Sequence, residues 1–425
     1  MMKKRLLLIS VAIALTSCSI LEPYSNSSVS SSFISSSQNS ESIISSTITS
    51  SEELTSSLVE VSSSSLLTSE ISIPPVNKNI ILTEMNTGTT YSDRAIEISN
   101  IGEEDVALNH YAINVYRNWS DIPTETIALD GYVINAKSCF VIAYSEAKKE
   151  IKDKANLITA KYLNDGTYPV SLSFYGQVVD TIGEIGNIYD FAKAAVLVRL
   201  KEYFTQYKKF KEYRWIRYPI NTLETLGNYD VISEEDLLDG PKLTDEFFNK
   251  PFCDNATNGN GGVLEVSYLY NIDGDTTRFN YGSDYDEYEI SGSLSTRYYG
   301  VNTPEIAHSD DEEPDPYGDE AKAFTQRMLN SAKHYIVQSV NGYSLHETYG
   351  RMLCYIWITN KENPEISDYQ LLNFLIVKNG FSRPGFIDRK ASYNSLMTYQ
   401  GISYVEYLYY ANTYAELLGL NIHSK

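Results

Sequence analysis

The sequence has few of the cysteines from which metal clusters and disulfide frameworks are built. Its 425 residues include 4 cysteines, and no two of them form a Cys-x-x-Cys pair. Beside Cys18, only Cys139, Cys253 and Cys354 are present, far apart in the chain. This spacing excludes a Cys-x-x-Cys metal framework and gives no evident disulfide scaffold, although one disulfide could still form outside the cell.

Histidine is also scarce, with 5 in the whole chain. No set of Ser, His and Asp offers a nucleophilic triad. His308 and His346 lie near the motifs described below, but neither has a second histidine at the spacing of a metal site. Both are therefore interpreted as surface residues.

Basic residues are outnumbered, with 34 Lys and Arg against 55 Asp and Glu, which gives a formal net charge of -21. A protein that grips nucleic acid through a broad basic surface does so by neutralising phosphates, and this composition argues against such a surface. It remains compatible with a small site in which a few arginines or a divalent cation attract a polyanion.

The N-terminal apolar run, residues 6–15, follows Lys3, Lys4 and Arg5 and is too short to span a bilayer as a mature helix. It is typical of a signal peptide, and it ends in "LTSC". This resembles the lipobox of bacterial lipoproteins, which implies that residues 1–18 are a lipoprotein signal and that Cys18 is the lipid-attachment residue. The protein would then be held in the lipid bilayer at the extracellular face of the bacterial cell membrane. The alternative is a plain secretory signal with a chance cysteine.

Residues 19–76 are dominated by Ser and contain no aromatic residue after Phe33. Such a segment buries too little apolar surface to offset its ordering entropy. It is therefore predicted to be a disordered stalk that gives a folded unit reach from its anchor.

From Asn79 onward, short β-branched and aromatic runs alternate with turn residues, which predicts an all-β sandwich over residues 77–230. The phrases "ILTEMN", "RAIEISNIGEEDVALNHYAI" and "TLGNY" resemble the lamin-tail domain family, which implies an immunoglobulin-like fold. In that comparison Glu97 is interpreted as structural. A basic insertion, residues 194–218, is compatible with a helix or an irregular hairpin, and a solvated surface is favoured over nucleic-acid contact.

An acidic segment rich in Gly and Asn, residues 231–262, is predicted to be a linker. The remaining residues, 263–425, contain strand patterns followed by three helix patterns: "YGDEAKAFTQRMLNSAKH", "DYQLLNFLIVKNG" and "SYVEYLYYANTYAELLGL". Strands followed by helices predict an α+β unit with a small barrel.

Three motifs in this last region combine into one chemical set: "DGDT" at 273–276, "RYYGVNTPE" at 297–305 and "YGRML" at 349–353. Phosphodiester hydrolysis needs a base for water, which suits Glu305. It also benefits from a hard divalent cation, for which Asp275 and the Asn302 side-chain oxygen are candidate ligands. Arg297 and Arg351 can donate paired hydrogen bonds to the charged phosphate oxygens.

These motifs, with "YGDEAKAFTQRML", "LLNFLIVKNGF" and "LGLNI", follow in order the pattern of the staphylococcal-type nucleases, or thermonucleases. The resemblance covers residues 263–425. It implies an oligonucleotide-binding (OB) fold barrel with three helices, and calcium-dependent cleavage of DNA and RNA to 3′-phosphate products. By position it assigns calcium ligation to Asp275 and the Thr303 carbonyl, phosphate binding to Arg297 and Arg351, and the general base to Glu305.

The sequence departs from this pattern at Asn302, where the best-known members have a second calcium-ligating aspartate. An amide keeps an oxygen ligand but removes a charge, so weaker metal binding is expected. Phe386 stands near the place of a nucleotide-contacting tyrosine, but Tyr349 is favoured for stacking on a base or contacting a phosphate. Between Asp275 and Arg297 an extended hairpin is predicted. The acidic loop 308–316 is interpreted as solvated, with repulsion of nucleic acid or recruitment of a cation as the alternative.

Two functions are therefore carried forward. The first is a membrane-anchored nuclease acting on extracellular DNA and RNA, supported by the retained acid, base and arginines. The second is a surface binding lipoprotein in which the lamin-tail-like domain recognises a cell-wall or surface ligand and the nuclease domain is inactive, for which Asn302 speaks. The oligomeric state is left open.

Overall fold

The computed structural model describes residues 73–253, 257–281, 292–307, 309 and 312–424. The predicted signal peptide with Cys18, most of the predicted stalk, most of the extended hairpin and part of the acidic loop lie outside these residues. From Ile71 to Lys425 the chain forms one compact unit. Within the described part, no helix combines the length and apolarity needed to cross a membrane.

The first half of the described chain is built from two main sheets. One has six strands in the order β12-β11-β1-β2-β7-β8, the other has four in the order β10-β9-β4-β5, and β3 pairs with β6. The strands are β1 Ile80–Thr87, β2 Arg94–Asn100, β3 Val106–Ala107, β4 Tyr111–Val115, β5 Glu125–Ala128, β6 Val133–Ile134, β7 Ser138–Tyr144, β8 Leu157–Thr159, β9 Val170–Phe174, β10 Gln177–Ile182, β11 Ala195–Arg199 and β12 Trp215–Pro219.

Side chains from both sheets meet in a common core. Ile80 and Leu82 of β1 pack in one cluster with Ile113 of β4 and Leu172 of β9, all with no solvent exposure. Every residue of β1 and β2 is buried, because the other face of these central strands is covered as well. Two packed sheets of this kind form the all-β layer architecture expected from the alternating pattern, while the immunoglobulin-like relationship stays a prediction.

The basic insertion forms an irregular hairpin, one of the two forms that the sequence left open. Strands β11 and β12 pair antiparallel, and two short 3₁₀ turns, Lys201–Tyr203 and Glu212–Arg214, lie between them. Arg199 is buried and pairs with Asp180 of β10, with Nη2 2.9 Å from Oδ2. This long-range ion pair fixes the base of the hairpin.

The segment predicted as a linker contains two short helices, α2 Glu234–Asp239 and α3 Asp245–Phe248, which follow α1 Lys149–Lys152 in chain order. The Ser233 side chain accepts a hydrogen bond from the Asp236 amide and caps α2. Leu237 and Phe247 are buried in the same hydrophobic cluster as the C-terminal region. The segment therefore packs against the C-terminal region through these two side chains.

The C-terminal strands close into a barrel. Its strands are β13 Val263–Asn271, β14 Thr276–Asn280, β15 Ser293–Tyr298, β16 His334–Ser339 and β17 Met352–Thr359, with β18 Gln370–Leu371 added at the edge of β17. The parallel pairing of β15 with β17 completes the circle, since β17 also pairs with β16 and β16 with β13. The predicted small barrel is confirmed.

Three helices follow the predicted helical patterns: α4 Gly318–Ser331, α5 Leu372–Lys378 and α6 Tyr404–Leu418. Helix α6 is capped at its start by Ser403 and ends at Gly419, which adopts the left-handed conformation with φ 64°. A short hairpin precedes it, β19 Thr398–Tyr399 with β20 Ile402–Ser403. Further 3₁₀ turns occupy Tyr91–Asp93, Ile366–Asp368, Ser392–Leu396 and Asn421–His423.

The β11–β12 hairpin and the barrel region share one hydrophobic core. Ile216 and Tyr218 of β12 are buried in the same cluster as Tyr404 and Leu408 of α6. The loop that precedes α6 is also tied to the first half of the chain, because Arg389 Nη1 lies 2.8 Å from Glu212 Oε1 and Lys390 pairs with Asp190. These two parts of the unit are therefore packed directly on one another.

Candidate active site

The turn from β13 to β14 places two carboxylates at one end of the barrel. The Asp275 amide donates a hydrogen bond of 3.0 Å to Asp273 Oδ1, which holds the tight turn. Gly274 is required between them, since a Cβ at this position would lie 2.6 Å from Thr303 Oγ1. Both carboxylates are buried, and this burial raises the pKa of Asp273.

Asp275 joins this turn to the segment after β15. Its Oδ2 accepts a hydrogen bond of 2.8 Å from the Thr303 amide, and its Oδ1 forms an ion pair with Arg297 Nη1. Arg297 Nη2 in turn donates to Asn302 Oδ1 at 2.8 Å. One guanidinium therefore bridges the two side chains that were predicted to bind a metal ion.

Opposing effects act on the pKa of Arg297. Burial lowers the pKa of its guanidinium, and the nearby carboxylate of Asp273 opposes this shift. The positive charge of Arg351 also lowers the pKa of Arg297, while the negative charge of Glu305 raises it. The two arginines and Glu305 are therefore close enough to influence one another.

Arg351 is held from two sides at the start of β17. Its Nε donates to Glu347 Oε1 at 2.9 Å, and its Nη1 donates to Thr276 Oγ1 at 3.3 Å. Burial alone would raise the pKa of Glu347, but the hydrogen bond from Arg351 opposes this effect and the pKa is lowered. Glu347 is not among the site residues predicted from the sequence, although its position four residues before Arg351 is a signal that could have found it.

A cavity of about 390 Å³ brings the predicted functional groups together. Arg297, Arg351 and Glu305 line it, together with Asn302 and Tyr349. Thr303 lines an adjoining cavity of about 460 Å³ that shares Asn302 and Glu305. The predicted site residues that lie within the described chain thus line two neighbouring cavities with shared walls, and the buried Asp275 contacts Arg297 and Thr303 from behind them.

Two aromatic rings stand at the mouth of the cavity. Tyr349 is 84% exposed and Phe386 is 80% exposed. Arg351 Cζ lies 5.8 Å from the centroid of the Tyr349 ring, and Arg297 Cζ lies 6.0 Å from that of Phe386. Phe386, which the sequence placed less clearly than Tyr349, therefore has an equivalent position beside the other arginine.

The oxygen atoms offered by Asp275, Asn302 and the Thr303 backbone are of the type that hard cations such as Ca²⁺ prefer. Within the described ranges, no group of three or more His, Cys, Asp or Glu residues is arranged to hold a metal ion. The side-chain oxygens of Asp275 and Asn302 are both engaged by Arg297. The donor set fits calcium by its chemistry, and Arg297 would have to yield part of its contacts to a cation.

The remaining cysteines do not take part in this site. The structure contains no disulfide among the described cysteines, Cys139, Cys253 and Cys354. Burial raises the pKa of the Cys354 thiol, which lies inside the barrel. A buried thiol of this kind is inert packing rather than a nucleophile.

In a comparison with known families, the model described as staphylococcal nuclease homologue matches residues 295–403. The matched range begins in β15 and ends in β20, and it contains Arg297, Asn302, Thr303, Glu305 and Arg351. Asp275 lies just before it. The closed barrel with its helices fits the same family, so the C-terminal region of this chain contains a staphylococcal nuclease-like domain, which indicates nuclease activity in general.

Proposed function

We propose that this protein is a membrane-anchored extracellular nuclease that hydrolyses phosphodiester bonds of DNA and RNA. The observation that carries the proposal is the single cavity of about 390 Å³ lined by Arg297, Arg351 and Glu305. It combines a carboxylate able to take a proton with two cations able to bind a phosphate.

In the proposed reaction, Glu305 accepts a proton from a water molecule as the water oxygen bonds to phosphorus. The bond from phosphorus to the 5′-oxygen breaks, and that oxygen takes a proton from solvent. The products are a 3′-phosphate end and a 5′-hydroxyl end. No covalent bond to the protein is formed.

Arg297 and Arg351 bind the phosphate oxygens as negative charge builds up on them. Such groups are most effective when they are already oriented before the reaction. Asn302 and Asp275 orient Arg297, while Glu347 and the Thr276 hydroxyl orient Arg351. The four contacts leave both guanidinium groups lining the cavity.

Calcium is proposed as the cofactor, held by Asp275, the Asn302 side-chain oxygen and the Thr303 carbonyl. When bound, it would neutralise charge on the phosphate. Asn302 supplies an oxygen without a charge, so the affinity for calcium is expected to be weaker than with a carboxylate at this position.

Tyr349 and Phe386 are proposed to stack on nucleobases. Both rings are almost fully exposed, and each lies close to an arginine that is proposed to bind phosphate. Stacking on aromatic faces tolerates any base, which suits cleavage without sequence preference.

The first half of the chain is proposed to have an auxiliary role, positioning the nuclease or binding a component of the wall. Anchoring through Cys18 at the extracellular face of the membrane is likewise a proposal, and it rests on the lipobox. The loop that brings Gly385 and Phe386 to the cavity also carries Arg389, which contacts Glu212. This contact supports a positioning role.

The test uses the purified full-length chain with single- and double-stranded DNA and with RNA, with calcium titrated against magnesium and chelator. Glu305→Gln should lower kcat roughly 10² to 10⁴-fold while binding of DNA is retained. Glu146→Gln, an exposed carboxylate in the first half of the chain, is the matched control. Absence of cleavage by the folded wild-type protein under every metal condition would instead favour the surface binding lipoprotein with an inactive nuclease domain.

A further inference from the structure

A second group of polar side chains lies far from the barrel motifs in sequence, between the two central strands of the six-stranded sheet. Glu84 of β1 and Glu97 of β2 are directly paired across the strands. Each is only 1% exposed. Side chains paired in this way lie on the same face of a sheet, with their Cβ atoms roughly 5 Å apart.

Two carboxylates buried side by side require compensation, because an isolated buried charge is strongly unfavourable. Lys154 is a nearby cation whose charge acts on both carboxylates. It is exposed, however, and its ammonium donates to the Leu226 carbonyl at 2.7 Å. One exposed lysine does not balance two buried negative charges.

The two carboxylates differ in their hydrogen bonds. Glu97 Oε1 accepts from the Thr83 hydroxyl at 2.6 Å, and Glu97 Oε2 accepts from the Gly227 amide at 2.6 Å. Neither carboxylate oxygen of Glu84 has a hydrogen-bond partner, although both are buried. Glu97 is therefore held in place, while the polar neighbours of Glu84, Thr225 and Asn86, lower its pKa without completing a hydrogen bond to either carboxylate oxygen.

Two uncharged side chains add further oxygens of the same kind beside Glu84. Asn86, two residues along β1 and therefore on the same face, is buried and its Oδ1 has no partner. The Oγ1 of Thr225, on the segment that covers this face, is also buried without a partner. Both side chains lie next to the Glu84 carboxyl. Four buried oxygens on three side chains thus lack partners beside the carboxylate of Glu97.

A proton shared between the two carboxylates would remove one negative charge and provide a hydrogen bond to one or two of these oxygens. A hard divalent cation would neutralise both carboxylates and coordinate all of the oxygens at once, since calcium takes 6 to 8 oxygen ligands. We propose that Glu84, Glu97, Asn86 and Thr225 form a binding site for a divalent cation of the calcium class, separate from the nuclease site.

A cation at this position would connect three pieces of the fold. Glu84 and Glu97 belong to neighbouring strands, and Thr225 belongs to the segment that leads from β12 towards α2. Gly227, in the same segment, already donates to Glu97. The cation would fasten this segment to the sheet, which gives it a structural role that does not depend on the proposed nuclease activity.

The test is calorimetric titration of the chelator-treated full-length chain with CaCl₂, paired with thermal unfolding. Asp275→Asn removes the only charged ligand proposed in the nuclease site and should weaken binding there, so calcium binding that keeps its wild-type affinity in this variant belongs elsewhere. We expect one equivalent of calcium to remain bound, and the unfolding midpoint to rise by about 3 °C at 100 times Kd. Adding Glu84→Gln to this variant should abolish both effects, whereas adding Glu146→Gln should leave them unchanged.

If the Glu84→Gln chain does not fold, Thr225→Ala provides a milder variant that removes one neutral ligand, and calcium should then bind roughly tenfold more weakly. The proposal is overturned if the folded Asp275→Asn chain shows neither heat nor a midpoint shift with calcium. It is also overturned if its stability has the same pH dependence in saturating calcium as in chelator, since a shared proton would then occupy the site. Loss of nuclease activity alone would bear only on the other site.

Discussion

Arg297 donates a hydrogen bond of 2.8 Å from Nη2 to the side-chain oxygen of Asn302. The same guanidinium pairs with Asp275, so a neutral amide and one carboxylate share one cation. An aspartate at position 302 would place a second carboxylate on Arg297 and strengthen its retention. The amide of Asn302 therefore weakens two competing interactions at this site: the coordination of a metal ion and the contact with Arg297.

Asn302→Asp is expected to increase calcium affinity roughly tenfold or more, because a unit charge close to a partly buried cation contributes on the order of a few kcal/mol. The measurement is the calcium concentration at half-maximal cleavage, with binding heats as a second readout. Asn302→Ala should move the calcium requirement in the opposite direction. Equal calcium midpoints for the aspartate and asparagine forms would show that residue 302 does not bind the metal ion.

Arg351→Lys should lower kcat roughly 10² to 10³-fold, because a lysine cannot contact Glu347, Thr276 and a phosphate through one planar group. Glu347→Gln, which keeps the shape but weakens the orienting contact, should give a smaller loss of about tenfold. Single-turnover cleavage rates provide the comparison. Arg327→Lys, at an exposed position on α4, is the control and should retain the wild-type rate.

Tyr349→Ala and Phe386→Ala should each raise KM for single-stranded DNA by roughly 5- to 100-fold, since stacking on one base contributes about 1–3 kcal/mol. Their thermal midpoints should remain close to that of the wild type because both rings are exposed. Trp119→Ala, an exposed aromatic in the first half of the chain, serves as the control. An unchanged KM in both variants would show that the rings at the cavity mouth do not contact substrate.

Arg389→Ala is expected to destabilise the protein by about 3 kcal/mol, because it leaves the buried carboxylate of Glu406 without its paired hydrogen bonds of 2.8 and 2.6 Å. Glu212→Gln removes only the exposed end of the same network and should change stability by less than about 1 kcal/mol. Denaturant unfolding of both variants tests the difference. Similar losses in both would mean that the contact with Glu212, rather than that with Glu406, dominates.

Stability in chelator should fall as pH rises from about 4.5 to about 7. Burial raises the pKa of Glu97 from 4.5 to about 7, so the folded state holds a proton that the unfolded state releases earlier. The contribution is fully present below pH 4.5 and is lost through pH 7, on the order of 3 kcal/mol. Unfolding free energies measured across this range, with Glu97→Gln for comparison, would reveal the slope, and a flat profile in wild-type protein would contradict it.

The local parts of the site could be predicted from the sequence, and the long-range parts could not. Pro304 keeps Thr303 extended in the segment after β15, which ends at Tyr298, so the display of Glu305 beyond the strand follows from neighbouring residues alone. The contact between Arg297 and Asn302 depends on how the chain turns after β15, and the place of Phe386 depends on a loop residue with a φ of 55°. Such conformations are set by packing, which no local pattern encodes.

The same distinction explains the first half of the chain. Its strands were readable from alternation, whereas the choice between helix and hairpin for residues 194–218 was not. That choice depends on Arg199 finding Asp180, in a different strand and sheet. Tyr218 and Tyr404 belong to one hydrophobic core although they are far apart in the sequence, so a linker between two separate units is the simplest prediction from composition.

The core shared by the β11–β12 hairpin and α6 packs the first half of the chain directly against the region that carries the cavity. A ligand captured by the sandwich would therefore fix both the spacing and the angle at which nucleic acid has to lie in order to be cut. Under the proposed function, the first half of the chain would then determine where the cut falls, because stacking on aromatic rings does not select bases.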